Sequence, residues 1–303
     1  MANASPTATA RPLAGIGWML LTGFEFVMVT ALVKHVGGRI PAAESAFLRY
    51  LLGLVFVLPM LGPLRAMRID ARGWALFGLR GLVHSGAVIL WFFAMAHIPM
   101  AEVTALNYLN PVYVTLGAAL FFGERLAARR LAAIGIALVG AMLILRPGFR
   151  SIEPGHLAML ATAALFAGSY LIAGRMAGLV RPSAVVAMLA ITVTIGLAPF
   201  ALSNWVSPRP DELAWLFAVA AFATAGHYTM TRAFAAAPMA VTQPVTFLQL
   251  VWSALVGWAV FGEAVDGWVM AGGGLIVGAV SFIAWREART GRRVTPPALP
   301  DKP

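Results

Sequence analysis

Residues 94–126, AMAHIPMAEVTALNYLNPVYVTLGAALFFGERL, and residues 233–265, AFAAAPMAVTQPVTFLQLVWSALVGWAVFGEAV, are two versions of one pattern. At a constant offset of 139 residues, both contain Ala-x-Ala-x-x-Pro-Met-Ala near the start and Phe-Gly-Glu near the end. Small apolar residues often coincide by chance in hydrophobic segments, but two such matches at one separation favour an internal duplication. The sequence therefore predicts two related halves.

The composition of the whole chain excludes an ordinary soluble domain. Of the 303 residues, 60% are hydrophobic and 11% are charged, and the mean hydropathy is +0.84. Soluble domains carry about 25% charged residues. A membrane-spanning helix needs roughly 20 apolar residues, so ten helices would use about 200 residues and leave about 100 for loops and tails. We therefore predict an all-α polytopic membrane protein.

Apolar runs bounded by glycine, proline and arginine predict ten spans. They lie near residues 13–33, 43–62, 73–95, 99–122, 129–146, 155–174, 183–203, 212–231, 239–261 and 268–285. The predicted domains are a first five-helix repeat at 1–147, a second at 148–287, and a disordered cytoplasmic tail at 288–303. Because five is odd, the second repeat is inverted in the membrane. Inverted repeats are typical of carriers that open alternately to either side around a midplane site.

Basic residues set the predicted orientation. With a cytoplasmic amino terminus, 15 of the 22 lysines and arginines fall on the cytoplasmic side and 5 on the other, as the positive-inside rule requires. The other two, Arg49 and Arg80, lie within spans. We therefore predict that both termini are cytoplasmic.

The net charge of +10 does not indicate a nucleic-acid partner, because the basic residues are dispersed between apolar spans. A group of arginines just after the last span would attract anionic lipid headgroups. It consists of Arg286, Arg289, Arg292 and Arg293. The absence of cysteine excludes disulfides, thiolate metal sites and cysteine nucleophiles.

Ten spans in a five-plus-five inverted arrangement, with Phe-Gly-Glu closing spans 4 and 9, resemble the drug/metabolite transporter superfamily of the EamA type. The stretch from Asn107 to Pro111, Asn-Tyr-Leu-Asn-Pro, is also similar to aromatic amino-acid exporters of the YddG kind. The resemblance implies a bacterial inner-membrane exporter of small metabolites, with a central cavity built mainly from spans 1, 3, 4, 6, 8 and 9. Asn110 stands where that branch has a bulky aromatic residue, so the motif does not fix side-chain selectivity.

Two titratable residues are predicted near the membrane midplane, where such groups are costly and usually face a wet interior. Glu25 lies about 12 residues, roughly 18 Å, into span 1. It would bind a cationic ammonium group or exchange a proton, or it is a buried carboxyl group bonded to a neighbouring helix. His84 would sense a proton or bind a carboxylate, or it is a neutral hydrogen-bonding residue. Arg80, one turn from His84, is expected to extend its side chain to the cytoplasmic interface.

Spans 4 and 9 each contain an internal proline, Pro111 and Pro244. Proline breaks a helix and frees a carbonyl group four residues earlier, which membrane proteins tolerate where the carbonyl is buried or lines a cavity. The nearby amides of Asn107 and Gln243 and the ring of Tyr108 are therefore candidate substrate contacts. The alternative is ordinary helix packing.

Aromatic residues at mid-span would form the walls of the site. The candidates are Trp91, Tyr108, Tyr170 and Trp252. The alternative is that they belong to the interfacial aromatic belts. The repeated Gly-Glu pairs at 123–124 and 262–263 are interpreted as helix ends, and a gating role is a second interpretation.

These features predict a secondary carrier that exports amino acids, including aromatic and other neutral ones, or similar small metabolites. No cofactor or metal is predicted; membrane lipid is a partner, protons are a candidate coupling ion, and a monomer would suffice. A facilitative or uptake carrier for another metabolite or drug has the same features. A membrane-embedded enzyme is disfavoured, because the five histidines form no His-Glu-x-x-His or comparable cluster.

Overall fold

The computed structural model describes residues 12–60, 69–123, 126–176, 182–237 and 239–290. Ten helical segments in this part of the chain are long and apolar enough to cross a membrane. The predictions of an all-α fold and of ten spans are therefore confirmed. The predictions for Glu124, and for the tail beyond residue 290, lie outside the described residues.

The spans, numbered in chain order, lie within two repeats. Spans 1 to 5 are Pro12–Val36, Ala42–Pro59, Ala71–His97, Met100–Phe122 and Ala128–Leu145. Spans 6 to 10 are Pro154–Met176, Ala184–Ser203, Pro210–Ala236, Pro244–Phe261 and Gly267–Arg286. The helix of span 7 begins slightly earlier, at Pro182, and the helix of span 10 continues to Thr290. Span 2 changes from an α-helix, Ala42–Gly53, to a 3₁₀ helix, Leu54–Met60.

Proline sets several of the helix starts. The helices of spans 1, 6, 7 and 8 begin at Pro12, Pro154, Pro182 and Pro210. Proline lacks a backbone N–H group, and it fits the first turn of a helix because the N–H groups of that turn have no hydrogen-bond partner within the helix. The helices therefore begin one or two residues before the apolar runs from which the spans were predicted.

Spans 4 and 9 are interrupted. Span 4 consists of two α-helices, Met100–Asn107 and Asn110–Phe122, joined by two residues. A short helix just before span 9, Met239–Thr242, leads through a 3₁₀ turn at Gln243–Thr246, where the span begins, into the helix Phe247–Phe261. The second helix of each span ends at a glycine, Gly123 or Gly262, with φ of +67°, a backbone conformation that glycine adopts at no steric cost. The interpretation of these glycines as helix ends is confirmed.

The spans pack mainly across the two repeats. Span 1 packs against span 8, span 3 against span 6, span 5 against span 10, span 2 against span 7, and span 4 against span 9. Spans 1, 3 and 5 have spans 6, 8 and 10 as their copies in the second repeat. If each span is exchanged with its copy, the contact of span 1 with span 8 becomes that of span 6 with span 3, and the contact of span 5 with span 10 is unchanged, as a two-fold relation between the repeats requires. The halves are therefore interleaved, and most of their contacts lie at the interface between repeats.

A close glycine contact joins spans 5 and 10. A Cβ atom on Gly140 would lie 2.5 Å from the carbonyl oxygen of Gly272, and a Cβ atom on Gly272 would lie 2.5 Å from that of Gly140. The two backbones therefore touch directly. Small residues allow such close approach, which drives helix association in membranes by van der Waals packing.

Ion pairs concentrate where the odd-numbered spans end, and we call this side of the bundle the ion-pair face. Here the Lys34 ammonium lies 2.7 Å from a Glu263 carboxylate oxygen and donates a hydrogen bond to the carbonyl of Ile98, 2.9 Å away. The other Glu263 oxygen accepts a bond from the Met100 backbone N–H at 2.9 Å. Glu263 thus ties the end of span 9 to span 1 and to the turn between spans 3 and 4.

A second part of the ion-pair face surrounds two buried carboxylates. Glu102 accepts hydrogen bonds from both terminal nitrogens of Arg150 at 2.8 Å and contacts His156. Glu212 pairs with Arg39. These bonds raise the pKa of Arg150 and of Arg39, so both guanidinium groups stay charged. A further pair on this face joins Arg146 and Asp266.

Candidate functional site

Glu25 lies at the contact between spans 1 and 8. Its side chain is 7% exposed, and one carboxyl oxygen lies 2.5 Å from the hydroxyl of Thr229. The same hydroxyl lies 2.9 Å from that of Thr22 and 3.0 Å from the carbonyl of Ala225. Within the described residues, this carboxyl group accepts a hydrogen bond from the Thr229 hydroxyl and forms no ion pair.

His84 lies where spans 2, 3 and 6 meet. Its Nε2 atom is 3.2 Å from the Tyr50 hydroxyl, and its Nδ1 atom is 3.1 Å from the Ser169 hydroxyl. Each hydroxyl can donate or accept a hydrogen bond, so both imidazole tautomers can be accommodated. The ring is therefore held in place by a helix of the other repeat.

An aromatic wall lies beside His84. The ring of Phe166, on span 6, has its centre 4.8 Å from that of His84, 5.9 Å from that of Trp91 and 6.2 Å from that of Tyr170. The Tyr170 ring is stacked with Phe166, whereas the Trp91 ring is nearly perpendicular to it. The structure thus brings three predicted site residues, His84, Trp91 and Tyr170, together around Phe166.

Tyr170, at the edge of this wall, is 42% exposed, and His227 on span 8 is also exposed. A small molecule or water can therefore reach both side chains. A separate cavity of about 190 Å³ lies near the ion-pair face, and none of the predicted site residues lines it.

Arg80 does not extend to the membrane surface as expected. It is 7% exposed, and its Nη1 atom donates to the carbonyl of Val185 at 3.4 Å. The side chain stays between helices, where it bonds to the backbone near the start of span 7. The expectation of an extended side chain was wrong.

The predicted residues of span 4 bond to protein groups. Asn110 donates to the side-chain oxygen of Asn107 at 3.0 Å, and the Tyr108 hydroxyl donates to the carbonyl of Thr246 at 2.6 Å. Pro111 occupies the second position of the second helix. The Tyr108 bond directly joins the interruptions of spans 4 and 9.

The remaining predicted residues lie on span 9. Pro244 lies within the 3₁₀ turn, and the placement of the Gln243 side chain lies outside what the structure describes. Trp252 meets Phe24 edge to face, with ring centres 6.2 Å apart. Trp252 therefore packs between spans 1 and 9.

Sequence reasoning missed four residues that complete these contacts: Tyr50, Phe166, Ser169 and Thr229. Tyr50, Ser169 and Thr229 are polar residues within apolar spans, and that signal was available. Their partners were not, because the sequence does not reveal that span 1 lies against span 8 or span 3 against span 6. Among the described residues no group of three or more histidine, aspartate or glutamate side chains could hold a metal ion.

The pattern of the EamA-like transporter family matches residues 13–146 and again residues 153–285. A riboflavin transporter of Rhizobium johnstonii is 33% identical, with 94% of this chain and 95% of that protein covered. The pseudopaline exporter CntI of Pseudomonas aeruginosa is 27% identical, with 92% and 98% covered.

Two further matches agree. An S-adenosylmethionine uptake transporter of Rickettsia bellii is 25% identical, with 91% of this chain and 94% of that protein covered. One solved crystal structure matches with a TM-score of 0.59 at 24% identity, covering 91% of this chain and 97% of the other, which shows a shared fold. The named relatives are all transporters of small metabolites, and they indicate a transporter and not an enzyme.

Proposed function

We propose that this chain, which belongs to the EamA-like transporter family and carries a small metabolite, works by alternating access around a crevice beside the aromatic wall. The observation that carries the proposal is the position of the aromatic wall. It lies where span 3 meets span 6, at the interface between repeats. Movement of one repeat against the other would open such a site to either side.

The substrate that best suits the wall has a planar aromatic ring. The rings of Trp91, Phe166 and Tyr170 offer stacking and edge-to-face contacts, and such contacts contribute about 0.5–1.5 kcal/mol each beyond burial. Riboflavin is the first candidate, because two relatives named riboflavin transporters, at 33% and 28% identity, match over more than nine-tenths of the chain. An aromatic amino acid, the substrate predicted from the sequence, is the second candidate and suits the same wall.

The other parts of the mechanism are proposals from the sequence. We place the carrier in a bacterial inner membrane as a monomer with cytoplasmic termini, so that the ion-pair face is periplasmic. Export is the proposed direction and protons the proposed coupling ion. The repeats at 1–147 and 148–287 are the proposed moving units. Glu25, His84, Trp91 and Tyr170 are proposed to serve the substrate site, and Asn107, Tyr108, Gln243 and Trp252 to shape the interrupted spans beside it.

The direct test is counterflow into liposomes that contain the purified protein. Vesicles loaded with unlabelled riboflavin, phenylalanine, tryptophan or methionine should take up the same labelled compound transiently, and the uptake should saturate. Protein-free liposomes are the control. Folded protein that exchanges neither riboflavin nor an aromatic amino acid would refute an aromatic substrate.

Replacing Trp91 with leucine tests the wall. The change removes a ring that packs on Phe166, so the concentration of riboflavin or tryptophan that half-saturates counterflow should rise about tenfold, as for loss of an aromatic anchor. The matched control is Trp258→Leu, because Trp258 is exposed on the outside of span 9. An equal effect of both substitutions would contradict the assignment.

Glu25→Gln tests proton coupling, because glutamine resembles a permanently protonated carboxyl group. Counterflow, which needs no proton movement, should persist within about threefold, whereas uptake driven by an imposed pH gradient should fall at least tenfold. Glu44→Gln, which alters another buried carboxyl group, bonded to the Val206 N–H, should preserve both activities. If Glu25→Gln keeps its response to the gradient, the proton is carried elsewhere.

A further inference from the structure

Arg80 is a buried cation whose charge the described protein leaves uncompensated. Its guanidinium group has five N–H donors, and the structure gives it one bond, at 3.4 Å, to the Val185 carbonyl. The Nε atom is buried without a hydrogen-bond partner. A charge removed from water without a partner is strongly unfavourable, so a site of this kind calls for an anion.

No carboxylate within the described spans serves Arg80. Glu25 bonds to Thr229, and Glu44 accepts a bond from the Val206 N–H. The three other carboxylates within the spans are engaged at the ion-pair face: Glu102 with Arg150, Glu212 with Arg39, and Asp211 with Arg209. An anion for Arg80 must therefore come from outside the described part of the chain.

The side chains around Arg80 suit an anion as well. His84 lies one helical turn from Arg80 on the same span, and its Nε2 atom lies 3.2 Å from the Tyr50 hydroxyl. The guanidinium of Arg49 lies 4.1 Å from the centre of the Tyr50 ring. We call Arg49, Tyr50, Arg80, His84, Ser169 and Tyr170 the basic cluster. It offers two permanent positive charges and several hydroxyl or imidazole donors.

The basic cluster adjoins the aromatic wall through two contacts. His84 packs on Phe166 and Tyr170 stacks on Phe166. A molecule whose ring lies on the wall could therefore reach Arg80 with a substituent, because Arg80 lies one helical turn from His84, which packs on the wall. Arginine recognises carboxylates and phosphates through paired, parallel hydrogen bonds.

We propose that the basic cluster binds the carboxylate or phosphate of an aromatic organic anion, with Arg80 as its main partner. The inference rests on the proposed function and reverses the order of its two candidates, because it ranks an aromatic amino acid, which carries a carboxylate, above riboflavin, which carries no charge. A neutral compound would leave Arg80 uncompensated in the crevice. The preferred cargo is thus an aromatic acid or a phosphorylated aromatic compound.

Binding to the purified protein tests the inference without transport. Two pairs of probes share a ring and differ in charge: riboflavin 5′-phosphate with riboflavin, and indole-3-propionate with indole-3-propionamide. The wild-type protein should bind the anion of each pair at least tenfold more tightly, measured as the concentration that raises its melting temperature. Arg80→Gln should weaken binding of the anions at least tenfold and binding of the neutral compounds less than twofold.

Two further variants keep the test decisive. Arg72→Gln, on the exposed first turn of the same span, should bind all four probes as the wild type does. Arg80→Lys keeps the charge but not the paired hydrogen bonds, so it should bind the anions with intermediate affinity even if Arg80→Gln does not fold. Equal binding of acid and neutral compound by the wild type, no binding of either anion, or unchanged binding by both Arg80 variants would overturn the inference. The inference would also be overturned if added anionic lipid raised the melting temperature and neither riboflavin 5′-phosphate nor indole-3-propionate did.

The test of the anion site at Arg80 is separate from the test of the proposed transport cycle. Binding that depends on Arg80, in protein that gives no counterflow, would support the anion site and refute the proposed transport cycle. Counterflow with no preference for the acid would support the cycle and refute the anion site.

Discussion

Gly140→Ile is expected to leave little correctly folded protein, because no space exists for a side chain where spans 5 and 10 meet. A Cβ atom at this position would lie 2.5 Å from the Gly272 carbonyl oxygen and 2.8 Å from the side chain of Ile276. The first of these neighbours is backbone, which cannot turn aside, so the helices must separate and lose their contact. Overpacking costs typically 1–3 kcal/mol, and we expect a cost of about 3 kcal/mol or more here.

The measurement is the melting temperature and the monodisperse fraction of detergent-purified protein. For a chain of this size, about 3 kcal/mol corresponds to a fall of roughly 10 °C. Gly135→Ile is the matched control, because Gly135 lies on the same span and a Cβ atom there meets nothing within 4 Å. Gly272→Ile and Gly278→Ile repeat the comparison on span 10. If each pair melts at the same temperature, the close contact does not stabilise the fold.

Arg150→Gln is the second substitution expected to have a large effect. Glu102 is 3% exposed and receives both of its 2.8 Å bonds from Arg150. Without Arg150, the carboxylate keeps its contact with His156 but loses the only permanent charge that it pairs with in the described structure. Breaking a buried ion pair on one side costs about 3–5 kcal/mol. Because Arg150 is partly exposed, we expect Arg150→Gln to lower the free energy of unfolding by an amount at the lower end of this range, about 3 kcal/mol.

The control for this substitution is Arg209→Gln. Arg209 also pairs with carboxylates, Asp211 and Glu212, but its side chain is 61% exposed, and exposed pairs contribute about 0–1 kcal/mol. Thermal melting and urea sensitivity in mild detergent should separate the two variants clearly. The double substitution Arg150→Gln with Glu102→Gln should recover part of the loss, because it removes the unpaired charge. Failure to recover any would mean that Arg150 acts through packing alone.

The sequence was sufficient for the features that depend on local composition. Ten apolar runs predicted ten spans, and the internal prolines Pro111 and Pro244 fall where spans 4 and 9 are interrupted. The repeated Phe-Gly-Glu predicted the two glycine helix ends, which share one backbone conformation. Each of these features is determined within a few residues of the chain, so pattern reading suffices.

Features that depend on which helices touch could not be predicted. The bond from Glu25 to Thr229 joins residues 204 positions apart, and that from His84 to Ser169 joins residues 85 apart. Arg80 illustrates the same limit. A free helix would let its side chain reach the membrane surface, whereas a neighbouring helix holds it in the interior.

In the proposed cycle, we expect the ion-pair face to set the resting state of the carrier. The two repeats are alike in fold, but Glu102 at one end of the bundle corresponds, at the offset of 139, to the apolar Val241 at the other. Opening the ion-pair face would separate charges such as Lys34 and Glu263. We therefore expect the empty carrier to rest with this face closed, and the step that opens it to be slowed by the charges that must part.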